Sequence, residues 1–349
     1  MPVVELNGTK INYLQIDSDA GEHAEHLVMV HGLATNMAFW YMRHAAEFAK
    51  RYKVTLFDLR GHGRSRVTES GYTPENMSRD LEELLNHLSI NKAHFIAHSF
   101  GGIVALNFAC RSVNRVASLM LVDSHIGAIR KLEKDNTWEY GQKVQQLLHD
   151  QGLDISVNEP YFGYRLLATV AHLQKEKVPI SDELQELVIP IVGNYGARTA
   201  KQWLKLLETT KAEEELMGDD GLTLERLKKL TFPILAVYGE RSQAMLTGSH
   251  LLEVWPHADF RRVREAGHFF PTTRPAELMQ NCEQFWDGAL VSDIPKREGD
   301  KQRHFRSDRF SERDDGWYFF TREGEHGPYE SLDIANNSLS SYIEQAKAG

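Results

Sequence analysis

Ser99 stands in the stretch IAHSFGGIVALNFA, where a short apolar run ends and a longer one begins, with Gly101 and Gly102 just beyond it. A serine hydroxyl is a weak nucleophile at neutral pH, so covalent chemistry needs a base beside it and donors for the charge it creates. The chain offers 16 histidines as bases and 49 acidic residues from which an orienting carboxylate could come. The competing reading is a serine that caps a helix by accepting one of its first backbone N–H groups. The two thiols, Cys110 and Cys282, lie in apolar helical patterns and read as buried free cysteines rather than a disulfide or a nucleophile. No Cys/His spacing suggests a zinc site.

The elements around Ser99 decide between these readings. Short apolar runs at 27–30 (LVMV), 53–57 (KVTLF), 93–97 (AHFIA), 116–122 (VASLMLV), 233–238 (PILAVY) and 259–263 (DFRRV) predict strands. Amphipathic stretches such as TPENMSRDLEELLNHLS (73–89) and TRPAELMQNCEQFW (273–286) predict the helices between them. The alternation implies an α/β fold with a mostly parallel central sheet flanked by helices. In such sheets ligands bind at the carboxyl ends of the strands, which is where Ser99 falls. Residues 125–230 show helical patterns without a convincing strand and read as a helical cap inserted into a core made of 1–124 and 231–290. Residues 291–315 are dense in charges of both signs and read as a solvated linker. Residues 316–349 then read as a small ββα module.

Composition bounds the partners. With 349 residues, 42% of them hydrophobic, the chain can bury a full core. Its net charge of −9 argues against a nucleic-acid partner. The start lacks a basic stretch followed by an apolar one, and no apolar run approaches a membrane span, so a cytoplasmic protein without a membrane partner is expected.

The AHSFG pentapeptide resembles the nucleophile elbow of the α/β-hydrolase fold, G-x-S-x-G, with Ala97 in place of the first glycine. Three further segments resemble the family in the same order: MVHGLATNMAFW after the strand at 27–30, LFDLRGHGRS at 56–65, and REAGHFFPTTRP at 264–275. The resemblance covers about residues 1–290. It implies Ser99 as nucleophile and His268 as base, with an oxyanion hole formed by the backbone N–H groups of Leu33 and Phe100. It also implies that His31 buttresses the oxyanion loop and that Asp58 and Arg60 are structural. Where the family's acid ordinarily follows the strand PILAVYG, this chain reads GERSQAML, with Ser242 and Gln243 at the expected place. Some relatives supply the acid from the preceding strand, which ends here in Asp123. Asp123 is the expected acid, with Glu240 the alternative.

A serine at the elbow, in place of the aspartate that resembling dehalogenases and epoxide hydrolases carry, implies acyl transfer: a carboxylesterase acting on short to medium acyl esters of small molecules, without metal or organic cofactor. A thioesterase or a carbon–carbon bond hydrolase would use the same residues, and a ligand sensor is the alternative outside catalysis. Phe39, Trp40, Tyr161, Phe162 and Trp203 are candidate linings of an apolar acyl pocket, or simply packing aromatics. In the C-terminal module Trp317, Tyr318, Pro328 and Tyr329 suggest either a minimal core or a face for a peptide or a second copy of the chain.

Overall fold

A computed structural model describes residues 2–288 apart from 135–137, 160 and 193–195, and, further on, 310–313, 316–321, 324–331, 334 and 338. Eight strands form the main sheet: β1 (Val3–Leu6), β2 (Thr9–Ile16), β3 (His26–Val30), β4 (Lys53–Phe57), β5 (Ala93–His98), β6 (Val116–Val122), β7 (Ile234–Gly239) and β8 (Asp259–Val263). Their order is β1-β2-β4-β3-β5-β6-β7-β8. From β4 to β8 every pairing is parallel, while β1 and β2 are antiparallel additions at one edge. These two strands were not expected, although Asn7 and Gly8 between them carry the positive φ angles of 43° and 71° that a two-residue hairpin turn demands.

The six expected strands are the buried ones. An inner parallel strand has helices over both faces, so its residues are apolar on both sides rather than alternately. Leu27, Met29, Ile96, Met120, Leu235 and Val237 meet Trp40, Phe48 and Phe270 in one apolar cluster. Helix α1 (Pro74–His87) begins as its sequence signals: Thr73 accepts the Asn76 N–H at 3.2 Å and Pro74 occupies the first position, where its missing N–H costs nothing. Helix α2 (Phe100–Arg111) follows β5 directly.

Between β6 and β7 the described residues form helices and no strand, among them α3 (Gly141–Asp150), α4 (Phe162–Glu176), and α5 (Gly196–Thr209), which packs on α4. This region is tied to the sheet domain on two sides. Glu215 accepts the amides of Gly71 and Tyr72 at 2.8 and 2.6 Å, and Glu133 meets His250 Nε2 at 3.1 Å. The last helix, α6 (Pro275–Trp286), returns to cover the sheet, and its Leu278 and Cys282 are fully buried. Cys110 is half-buried, and both thiols are free. Among the described residues no helix is long and apolar enough to cross a membrane.

Residues 288–349 make a separate compact unit. It contains a three-stranded antiparallel sheet of β9 (Phe310–Arg313), β10 (Gly316–Thr321) and β11 (Gly324–Tyr329), with β10 central. Two corrections follow. Residues 310–313 belong to the sheet rather than to a linker, because β10 offers their backbone a full ladder, with Ser311 opposite Tyr318 and Glu312 opposite Trp317; charged side chains do not prevent backbone pairing at an edge. The module accordingly has three strands rather than two, while its expected helix lies outside the described residues.

Candidate active site

The site is built at the carboxyl ends of β3, β5, β6, β7 and β8, one loop from each. At the end of β5 the chain turns through Ser99 with φ 55° and ψ −125°, a conformation that side chains rarely adopt and that costs roughly 1–3 kcal/mol. Two things hold it there. The Ser99 N–H continues the β5–β6 ladder to the Val122 carbonyl at 2.9 Å, and the Ser99 carbonyl accepts the Gly102 N–H at 2.9 Å. The turn also needs glycine beside it. A Cβ on Gly101 would lie 2.5 Å from the His31 carbonyl oxygen, and one on Gly102 would lie 2.0 Å from Ser124 Oγ. Ala97, in place of the first elbow glycine, is fully buried in β5 between Val30 and Leu121.

The strained turn aims the hydroxyl away from its own helix. Ser99 makes no side-chain capping bond, and its Oγ lies 2.9 Å from His268 Nε2. The other ring nitrogen, Nδ1, donates to Asp123 Oδ1 at 3.0 Å. Asp123 is fully buried at the end of β6, also at positive φ (49°), and its second oxygen accepts the Gly239 N–H at 2.7 Å. Ser242 donates to Oδ1 as well. Glu240 is engaged elsewhere: it accepts the Glu265 N–H at 2.7 Å and pairs with Arg262 at 3.3 Å.

Buried histidines hold the surrounding loops. His98 Nε2 donates to the His268 carbonyl at 3.0 Å, and His44 Nε2 donates to the Pro271 carbonyl at 2.9 Å, so two imidazoles pin the turn carrying His268. Burial keeps both neutral, pushing His44 down to about 4 and His98 well below the usual range. Under the β3 loop, His31 Nε2 accepts the Leu59 N–H at 3.0 Å, which puts the ring proton on Nδ1, 2.8 Å from the Gly32 carbonyl. Thr35 donates to the same carbonyl at 2.8 Å. Gly32 in turn sits so close that a Cβ there would lie 3.0 Å from Ser99 Cβ. Leu33 and Phe100 flank Ser99 in one cavity wall, and Phe100 opens α2, whose first N–H groups have no acceptor within the helix. Asp58 and Arg60 lie behind this. Asp58 accepts Met37 N–H at 2.8 Å, Arg64 N–H at 2.9 Å and Asn12 Nδ2 at 2.7 Å; Arg60 forms a buried two-pronged pair with Asp80 at 2.6 and 2.9 Å.

Residues 25–158 match the alpha/beta hydrolase fold family. Over 267 residues the chain is 30% identical to the putative carbamate hydrolase RutD of Pantoea ananatis, a match covering 75% of this chain and 88% of that protein. The chain belongs to the alpha/beta hydrolase fold family. It is also 38% identical over 120 residues to the dihydrolipoyllysine-residue acetyltransferase component of an acetoin cleaving system from Pseudomonas putida, a match covering 34% of this chain but only 31% of that longer protein. Among solved structures, the esterase RhEst1 from Rhodococcus sp. ECU1013 has the same fold, with TM-score 0.58 and 21% identity over 83% of this chain and 98% of that one. Residues 296–348 match a family described as a domain of unknown function.

In this hydrolase the loops meet under the cap in a cavity of about 1460 Å³. Tyr161 and Phe162 line it, together with Trp138 and Tyr140, which the sequence did not single out. Three expected lining residues do not. Trp40 is fully buried in the core, Phe39 stacks on His98 at 4.7 Å between ring centres, and Trp203 is wedged between His62 and Tyr164. Trp40 and Trp203 are packing aromatics, buried by their own neighbours, while the half-buried Phe39 packs against the core from its edge. His125 was missed altogether. It follows Asp123 by two residues and faces the cavity, where the nearby Arg130 and His268 disfavour its protonation. Nothing in the sequence singles it out among 16 histidines. Among the described residues no cluster of His, Cys, Asp or Glu could hold a metal ion.

Proposed function

We propose that this hydrolase cleaves carboxylic esters through an acyl-enzyme on Ser99, with His268 as base and Asp123 as its orienting acid. The observation that carries this reading is the unbroken hydrogen-bonded line from Ser99 Oγ through both nitrogens of His268 to a fully buried carboxylate. In that arrangement His268 Nε2 takes the Ser99 proton as Oγ attacks the acyl carbon, and the Leu33 and Phe100 N–H groups receive the oxyanion, the latter aided by the α2 dipole. The proton then passes from His268 to the departing alcohol. Water enters, gives a proton to Nε2 and attacks the acyl carbon, and the collapse of the second tetrahedral intermediate returns the proton to Ser99 and releases the acid.

A serine at the elbow supports acyl transfer, since opening an epoxide or displacing a halide on this framework uses a carboxylate there. The aromatic side chains in the cavity wall support an acyl group of appreciable size. The test is hydrolysis of a p-nitrophenyl acyl ester series by the wild type and by Ser99→Ala. Turnover that depends on Ser99 is expected, with a chain-length optimum set by the cavity. No turnover above the variant's background on any oxygen ester would reject the ester assignment, and thioesters and ligand-induced melting shifts would then separate a thioesterase from a sensor.

A further inference from the structure

In the loop after β7, Ser242 stands where the family's acid ordinarily does, and it is 3% exposed and not idle. Its Oγ accepts the Ala244 N–H at 3.2 Å, which directs the hydroxyl proton toward its other neighbour, Asp123 Oδ1. That is the oxygen that receives the His268 Nδ1–H, while Oδ2 is held by the Gly239 N–H. The end of β7 and the loop after it therefore supply two donors to an acid that comes from the end of β6. We propose that Ser242 is a positioning residue: its hydroxyl, fixed by the Ala244 amide, sets the rotamer of the Asp123 carboxylate and shares its charge with His268.

The consequence has a definite sign. A carboxylate oxygen that already accepts an O–H bond is a weaker partner for an imidazolium, because part of its charge is spent on the hydroxyl. Ser242 thus keeps His268 easier to deprotonate than Asp123 alone would make it, and so available as a base at lower pH. The other groups facing the pair are His98 from β5, His125 and Arg130 from the turn after β6, and Tyr238 from β7, whose hydroxyl donates to the Ser124 carbonyl at 2.8 Å. Arg241 and Glu265 on the adjoining loops pair with each other at 3.4 Å.

The proposal rests on the reading of Ser99, His268 and Asp123 given above. It is tested by the pH dependence of kcat/KM for a p-nitrophenyl ester, from about pH 5 to 9, in the wild type, Ser242→Ala, Ser242→Cys and Ser242→Thr. The limb set by His268 should move to higher pH by about half a unit or more in Ser242→Ala. It should move the same way in Ser242→Cys, whose thiol is a weak donor of similar size, and stay with the wild type in Ser242→Thr, which keeps the hydroxyl. If the alanine variant does not fold, the cysteine variant carries the comparison. A limb unmoved in both, or moved to lower pH, or shifted as far by threonine as by alanine, overturns the proposal whatever the variants do to stability. Wild-type hydrolysis that persists in Ser99→Ala would instead overturn the reading beneath it.

Discussion

Asp123 and Glu240 are both carboxylates at strand ends on the catalytic edge, and their surroundings separate them. Asp123 is fully buried and meets His268, whereas Glu240 spends its oxygens on the Glu265 amide and Arg262. Asp123→Asn should therefore lower kcat by on the order of 10⁴-fold, because the amide cannot hold the imidazole in the tautomer that presents a lone pair to Ser99. Glu240→Gln should keep most of the activity, and ester kinetics on the two variants decide the matter; the opposite ranking would move the acid to Glu240. Much of the site's geometry could be read from residue types and spacing, because a serine between strand and helix and a histidine after the last strand are local patterns. Ser242 and His125 could not. Their significance lies in neighbours 119 residues away, from Ser242 to Asp123, and 143 away, from His125 to His268, and no local pattern records such pairs.

Among the elements, the β5–α2 junction carries the tightest constraint. Gly101 faces the backbone of β3 and its loop, with the Val30 and His31 carbonyl oxygens 2.7 and 2.5 Å from any added Cβ. Neither oxygen can yield without moving a central strand. Gly101→Ala should cost about 2–3 kcal/mol of stability, visible as a lower urea midpoint, and should also reduce turnover by displacing the loop beside Ser99. An alanine variant with an unchanged midpoint would show that β3 and α2 can separate freely. The inner strands were legible because burial on both faces leaves continuous apolar runs. β1 and β2 were not, since edge strands such as VVEL alternate between exposed and half-buried positions. Only the Asn7-Gly8 turn announced them. The aromatic residues misled for a related reason: Trp40 and Trp203 have the composition of a pocket wall, but composition does not say whether the space beside a ring is empty.

Across the whole molecule, buried neutral histidines make folding sensitive to mild acid. His44 and His62 titrate near 4 in the folded protein through burial, against about 6.5 in an unfolded chain. The unfolded state therefore binds more protons between those values, and stability falls as pH drops through that window, by about 1.4 kcal/mol per pH unit for each residue. Below about 4 the folded protein takes up the same protons and the decline from these two groups ends. Melting temperatures measured from about pH 7.5 down to 4.5 should fall steeply below about 6.5, and a flat profile would contradict the assignment of both rings as neutral. The position of the cap has a further consequence, for synthesis. Ser99 and Asp123 precede it while His268 follows it, together with β7, β8 and the backbone and hydroxyl donors to Asp123, from Gly239 and Ser242. A nascent chain halted at residue 230 thus lacks β7, β8 and the partner of Ser99, and on the reading proposed above it should hydrolyse no ester until His268 has been made. Cutting the chain inside the cap divides these residues in the same way, so neither piece alone should hydrolyse an ester, and ester turnover after mixing would report their reassembly.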